Sequence, residues 1–366
     1  MTGQDEHRFG GSAHEASERR PTLRDVAGAA GVSKSLVSLA FREPERVSDE
    51  RLQRITDAAQ RLGYRPNLVA GALKAARGDF VGILVADLHN PVFVDIVEAA
   101  RRELAAHGRV GLVTSARILD ARGEYVPDTR MLDTFADLRP SGVIVVGSAP
   151  GLHHPLLEGA GGDVVFASSI PDELPGALVL RGDEGVGMGL VVDHLVARGH
   201  RAIAHLGGLG GSVAEARARA YEAAVRRHGL DPIVVASDLT ERGGAAAAAA
   251  ALAERDDITA LCAGNDLAAV GAVTAAADAG RSVPDDLAVV GYDDTYLAGL
   301  GPISLTTVRV DSESVGVLAA RALLEEPFRP GERLLRPRLV VRRSSGSGRE
   351  APRDAPDTPP AASRAD

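Results

Sequence analysis

Hydrophobic positions along the chain fall into two textures. Between residues 22 and 62 they recur at helical spacing, in three short groups. Leu23, Val26, Ala27 and Ala30 share one face of a first helix, which Thr22 can cap and Gly31 can end in the left-handed conformation. Ser33 is placed to cap a second helix from Lys34 to about Phe41, with Leu36, Val37 and Ala40 turned inward. Ser48 caps a third, whose buried stripe should be Leu52, Ile55, Ala58, Ala59 and Leu62. Small Ala27, the turn glycine Gly31 and Val37 let the first two helices cross closely, which is a helix-turn-helix pattern. Lys34, Ser35 and Ser38 would then face a DNA major groove, although ordinary helical hairpins produce the same short pattern. The sequence GYRPN (residues 63–67) stops the third helix, because Pro66 biases the residue before it toward extended structure. Residues 67–75 (NLVAGALKA) repeat a helical pattern for under three turns, with Gly71 inside. So short a helix is marginal without a partner.

From Asp79 the texture changes to continuous apolar runs. FVGILVADL, VGLVTSA, GVIVVG, DVVFASS, ALVL, AIAHLGG, IVVAS, ALCAG, LAVVGYDD and RLVVRRSS read as strands. Helices are predicted between them over 91–107, 129–138, 183–198, 214–228, 243–254, 266–279 and 312–324. Alternation of this kind predicts parallel sheets covered on both faces. The number of units exceeds one doubly wound sheet, so two sheets with a cleft between them are expected. Ligands in such folds sit beyond the carboxyl ends of the strands. Residues 1–20 and those after about 345 are polar, Gly/Ser-rich or Pro/Ala-rich, and are expected to be disordered tails.

Charge sharpens this division. The 366-residue chain carries −9 overall, but residues 21–77 hold ten Lys/Arg against six Asp/Glu, so that segment is +4 and the remainder −13. A basic head on an acidic body suits phosphate contacts at one end only. Aromatics are 3% with no Trp, so the core must be aliphatic. Cys262 is the single cysteine, which excludes an intrachain disulfide and suits a reducing, cytoplasmic setting. The first twenty residues have no apolar signal core, and no apolar run approaches 18 residues, so neither export nor a membrane is expected.

Catalytic and metal chemistry find little support. The stretch Gly207-Gly208-Leu209-Gly210-Gly211-Ser212 follows a strand, but Val213 stands where a dinucleotide fingerprint needs its third glycine. No phosphate-binding loop, GxSxG or CxxC occurs. His194, His200 and His205 span a helix, a turn and a strand, and do not converge. A nucleotide-dependent α/β enzyme is the rival reading. The expectation is no enzyme, no cofactor and no metal.

TLRDVAGAAGVSKSLVS, GYRPN and NLVAGALK, followed in order by VGILVADLHNPVF, DHLVARGHRAIAHLGG, RARAY, AGNDLAAVGA, LAVVGYDD, SLTTVR and LVVRRSSG, resemble the lactose-repressor (LacI/GalR) family of bacterial transcription regulators. The resemblance covers residues 21–345. It implies an all-α helix-turn-helix DNA-binding domain (21–65), a hinge helix (66–78) and a periplasmic-binding-protein-like α/β core (79–345) of two doubly wound parallel-sheet subdomains. The first would hold about 79–180 plus 311–338, the second about 181–308 plus 339–345. It further implies a homodimer on a pseudo-palindromic double-stranded operator and a small-molecule effector in the cleft, a sugar first and a nucleoside or purine second. The tail lacks a leucine heptad, which favours a dimer over a tetramer.

Residue by residue, the resemblance places Thr22, Lys34, Ser35, Ser38 and Leu39 in the DNA-reading helices, and Asn67, Leu73 and Lys74 in the hinge. Leu73 matches the wedge that family members insert into the minor groove. Leu39 departs from the arginine many members have, and can only make apolar contact or pack inward. Asp87, His89, Phe93, Arg217, Asn265 and Asp293 match the effector-contacting set. Phe93 can equally be a core aromatic, Arg217 a structural ion pair and Asn265-Asp266 a helix cap, with capping preferred for Asp266. Ala167-Ser168-Ser169 stand where some sugar-binding members have an aspartate, which leaves the effector's identity open.

Overall fold

The computed structural model describes residues 21–64, 80–121, 125–148, 151–160, 163–171 and 176–346. They form two compact units, one within residues 1–75 and one within 76–366.

The smaller unit is three helices, α1 (Leu23–Ala30), α2 (Lys34–Arg42) and α3 (Asp49–Leu62). Local chemistry sets their ends. The Asp25 carboxylate accepts from both the N–H and the hydroxyl of Thr22 at 2.7 Å. Gly31 adopts φ 65°, and the Val32 N–H reaches back to the Ala27 carbonyl at 3.0 Å. Ser33 Oγ accepts from the Leu36 N–H at 3.2 Å, starting α2. Ser48 sits at the N-cap of α3 with extended backbone and makes no side-chain cap bond. Val26, Val37, Ile55 and Ala58 are fully buried where the helices meet. Leu62, expected in that core, is 36% exposed. It lies in the last turn of α3, past the residues that α1 and α2 cover, so the apolar stripe outruns its partner surface.

The larger unit holds two six-stranded sheets. The first contains β1 (Phe80–Val85), β2 (Val110–Ser115), β5 (Gly142–Val146), β6 (Asp163–Ala167), β7 (Leu178–Gly182) and β13 (Gly331–Leu335). Its order is β13-β7-β6-β5-β1-β2, and every pair is parallel. The second contains β8 (Ile203–Gly208), β9 (Ile233–Ser237), β10 (Ala260–Ala263), β11 (Ala288–Tyr292), β12 (Thr306–Arg309) and β14 (Arg338–Val340). Its order is β14-β12-β11-β10-β8-β9, with only β14 antiparallel. The chain passes between the sheets three times: after β7, after β12, and between β13 and β14. Helices α4 (Pro91–Ala106), α5 (Thr129–Asp137) and α10 (Ser312–Leu324) accompany the first sheet. Helices α6 (Glu184–Ala197), α7 (Ser212–Arg227), α8 (Glu241–Glu254) and α9 (Asp266–Asp278) accompany the second. Strands β1, β5, β10 and β11 are buried throughout, as both-face coverage demands.

Four strands carry no apolar run to announce them. Two of them, β3 (Arg117–Leu119) and β4 (Tyr125–Pro127), pair as a short antiparallel hairpin. The edge strand β13 is GERLL and mostly exposed. In β12, Thr306 and Thr307 are fully buried because their hydroxyls are spoken for: Thr306 donates to the Arg342 carbonyl and Thr307 to Asp266. RLVVRRSS is a strand only over 338–340. It then turns into a 3-10 helix over Arg343–Ser345, where Ser344 Oγ donates to the Val289 carbonyl at 2.6 Å. Helices α8 and α9 approach closely through glycine: a Cβ on Gly271 would lie 1.9 Å from the Glu241 carbonyl oxygen, and one on Gly244 2.1 Å from that of Ala268.

Candidate functional site: a helix-turn-helix head and an interdomain cleft

On the head, the first turn of α2 presents Lys34 and Ser35 exposed, while Ser38 is half-buried one turn on. Leu39 is half-buried and packs against the three-helix core. Thr22 is occupied by the Asp25 cap at the start of α1. Arg24, Arg51, Arg54 and Arg61 are exposed, which keeps the unit's surface basic. Asn67, Leu73 and Lys74 lie outside the described residues.

In the body, a cavity of about 440 Å³ opens between the carboxyl ends of the two sheets. This is a volume suited to a small molecule. Its floor is an ion pair: Arg217 on α7 donates through Nη2 to Asp293 Oδ1 at 2.9 Å and through Nη1 to the Gly264 carbonyl at 2.6 Å. The guanidinium also lies 3.7 Å from the centroid of the Tyr292 ring, a cation–π contact. Both charged side chains are less than 9% exposed. Burial pushes the Asp293 carboxyl up from its usual range, and Arg217 draws it only part of the way back. Burial opposes the charge on Arg217, but Asp293, Tyr292 and Glu184 more than offset it. The pair therefore holds its cation firmly. Asp293 adopts φ 105° just past β11, and Ser168, which also lines the cavity, adopts φ 52° just past β6. Left-handed backbone at two non-glycine positions concentrates strain at this site.

The matched effector set divides. Asp87, Phe93, Arg217 and Asp293 line the cavity. Phe93 does so with its ring under Gly147, where a Cβ would come within 2.4 Å of it. His89 does not line the cavity. Its side chain is 79% exposed, and its backbone N–H donates to Asp87 Oδ1 at 2.8 Å. Asn265 is also absent from the lining. Its Oδ1 accepts from the Ala268 N–H, capping α9, and its Nδ2 donates to the Leu239 carbonyl, both at 2.9 Å. Capping thus falls to Asn265 rather than to Asp266. Asp266 instead accepts from the Thr295 N–H, the Thr295 hydroxyl and the Thr307 hydroxyl at 2.6 to 2.9 Å. Burial and the nearby Asp293 push its carboxyl up to about 7.

Sequence reasoning missed Asn90, Arg117, Tyr125, Ser148, Asp238 and Thr240, all of which line the cavity. Ser148, Asp238 and Thr240 follow strand ends, the signal that could have found them. Arg117 and Tyr125 sit on the hairpin that no apolar pattern marked. Among the described residues, three polar atoms of this lining are buried without a hydrogen-bond partner: Arg117 Nε, Ser148 Oγ and Arg217 Nε. Buried polar groups are normally satisfied, so unpartnered atoms around one cavity point to a ligand. His194, His200 and His205 have separate partners, the Ser345 hydroxyl, the Thr259 hydroxyl and the Cys262 carbonyl.

Comparison with known proteins agrees with both halves. Residues 22–67 match the family described as bacterial regulatory proteins, lacI family, and residues 192–345 match the periplasmic binding protein-like domain. The HTH-type transcriptional regulator reg1 of Streptomyces lividans is 30% identical over 346 residues, spanning 89% of this chain and 96% of its own. The chain belongs to the lacI family of bacterial regulatory proteins. The ribose operon repressor of Escherichia coli K12 is 29% identical over 316 residues, covering 84% of this chain and 94% of that protein. Among solved structures, the Lac repressor dimer bound to operator and the anti-inducer ONPF superposes with a TM-score of 0.75 at 26% identity, covering 90% of this chain and all of that one. As a lacI-family member this chain is a DNA-binding transcriptional regulator, and no described helix is long and apolar enough to cross a membrane.

Proposed function

We propose that this regulator is a repressor that binds a sugar in the cleft, and that occupancy of the cleft sets its affinity for a pseudo-palindromic operator. The observation that carries the ligand reading is the set of unpartnered buried atoms Arg217 Nε, Ser148 Oγ and Arg117 Nε around a cavity also lined by Asp87, Asp238 and Asp293. Guanidinium donors beside carboxylate acceptors suit vicinal hydroxyls, each of which both donates and accepts. Phe93 and Tyr125 supply apolar faces for the sugar ring. The repressor and sugar assignments draw further support from the ribose operon repressor among the relatives. On the head, Lys34, Ser35 and Ser38 read bases from the major groove, and Leu39 serves the domain's packing. Two heads are supplied by a homodimer. The edge strand β2, which exposes Val110, Leu112 and Val113, offers an apolar surface on the first subdomain for pairing.

The test has two parts. The purified chain is heated with sugars, and with nucleosides as the contrasting class; a sugar at about 100 times its Kd adds roughly 2.7 kcal/mol to stability. The operator is selected from random DNA, and its affinity is measured with and without that sugar, where a change of about 5- to 150-fold is expected. Stabilisation by nucleosides alone would replace the sugar reading, and an operator affinity indifferent to a bound ligand would end the coupling. Sedimentation checks the dimer.

A further inference from the structure

Arg217 has its counter-charge in Asp293; the other arginine of the cleft has none among the described residues. Arg117 opens β3, and its Nη2 donates to the Tyr125 carbonyl across the hairpin. Its guanidinium carbon lies 5.6 Å from the centroid of the Tyr125 ring. Both residues line the cavity, and Arg117 Nε is buried with no partner. Among the described residues no carboxylate pairs with Arg117. The hairpin base is held in place: Ser115 Oγ donates to the Arg117 carbonyl at 2.7 Å and accepts from its N–H at 3.2 Å, and the Asp128 N–H closes onto the Ala116 carbonyl at 3.0 Å. The guanidinium is thus held by the Tyr125 carbonyl beside that residue's aromatic face, with its Nε donor left open. A planar guanidinium presented in this way matches an oxyanion, to which it can offer paired N–H donors.

The two acids that line the cavity without an arginine partner are turned to other work. Asp87 Oδ1 accepts from the His89 N–H, and Asp238 Oδ1 accepts from the Thr240 N–H at 3.0 Å and from its hydroxyl. Each keeps a second oxygen, which can accept from a ligand hydroxyl. The cleft therefore combines hydroxyl acceptors with one guanidinium that, among the described residues, makes no ion pair.

We propose that the ligand of this cleft is an anionic sugar, whose carboxylate or phosphate is received by Arg117 beside Tyr125. The inference rests on the reading of the cleft as a sugar site and narrows it. Arg117 is the residue that separates an acidic sugar from its neutral parent.

The test uses the full chain and matched series: glucose with glucuronate, gluconate and glucose 6-phosphate; galactose with galacturonate; ribose with ribose 5-phosphate. Thermal stabilisation ranks them, and calorimetry gives affinities for the best acidic member and its parent. The expected result is an acidic member bound at least tenfold tighter than its parent. The uronates and phosphates separate the two sources of the oxyanion. Arg117→Gln should remove that preference: both members lose the Arg117 donor, and the acidic member should lose at least tenfold more affinity than the parent. Arg117→Lys, which keeps the charge and loses the fork, should fall between them. Acidic members that bind no better than their parents overturn the proposal while leaving the sugar reading intact, as does an equal loss of both in Arg117→Gln. Stabilisation by no member of any series would remove the sugar reading itself and this inference with it.

Discussion

Replacing Arg217 by Met tests the floor of the cleft. The change strips the cation from beside Asp293, whose side chain is 7% exposed, and removes the donor to the Gly264 carbonyl. Breaking a buried pair by deleting one partner costs about 3–5 kcal/mol, most of it the stranded charge. The lost cation–π contact with Tyr292 accounts for up to about 2 kcal/mol, part of which the thioether recovers against the ring. A net loss of about 4 kcal/mol follows, measurable by urea denaturation of the full chain with tyrosine fluorescence, since Tyr221 and Tyr292 are fully buried in this body. The loss carries a pH signature. Burial already holds the Asp293 carboxyl above its ordinary value, and without Arg217 nothing restrains it. An acid raised in the folded state destabilises once the unfolded chain ionises, and does so fully above the folded pKa. The Arg217→Met deficit must therefore shrink as pH falls from 7.5 toward about 4.5. Adding Asp293→Asn removes the stranded charge and should recover at least half of the loss at neutral pH. A deficit independent of pH, or a double variant as unstable as the two single losses summed, would refute the account of Arg217 as counter-charge.

Three other outcomes are expected. Asp266, raised from 3.8 to about 7, should make the folded state lose stability as pH rises from about 4 to 7, by at most about 4 kcal/mol; Asp266→Asn should flatten that slope, and an unchanged slope assigns it elsewhere. Gly271→Ala gains about 1 kcal/mol of helix propensity but drives a methyl to 1.9 Å from the Glu241 carbonyl oxygen, so thermal melting should show net destabilisation of 1–3 kcal/mol or more; a rise in Tm would mean that α8 and α9 separate freely. Ile55→Ala, fully buried in the head, should cost about 2–5 kcal/mol in that unit and weaken operator binding while ligand affinity in the body is unchanged; undiminished DNA binding would show that the head tolerates a loose core.

Much of the architecture was legible because its causes are local. The Thr22 and Ser33 caps, the Gly31 turn and the apolar stripe of α1 are short-range features, and the three helices form where those features stand. Continuous apolar runs announced β1, β5, β10 and β11 because both faces of those strands are covered. The carboxyl ends of the strands marked the cleft, and Arg217, Asp293, Asp87 and Phe93 do line it.

What the chain's order could not supply is where each polar side chain spends its hydrogen bonds. Asn265 is drawn away from the cavity by the Leu239 carbonyl, 26 residues earlier in the chain, and by the helix it caps. Asp266 is satisfied by Thr295 and by Thr307, 41 residues later, and β12 pairs between β11 and β14 with its buried threonines so satisfied. Arg117 and Tyr125 enter the cleft only through a three-residue hairpin too short to show a period. Sequence alone determines the family, the head and the sheets, since propensity and patterning act over a few residues. The tertiary structure decides which groups meet a ligand and which hold the fold, because that choice depends on partners the chain brings together from far apart.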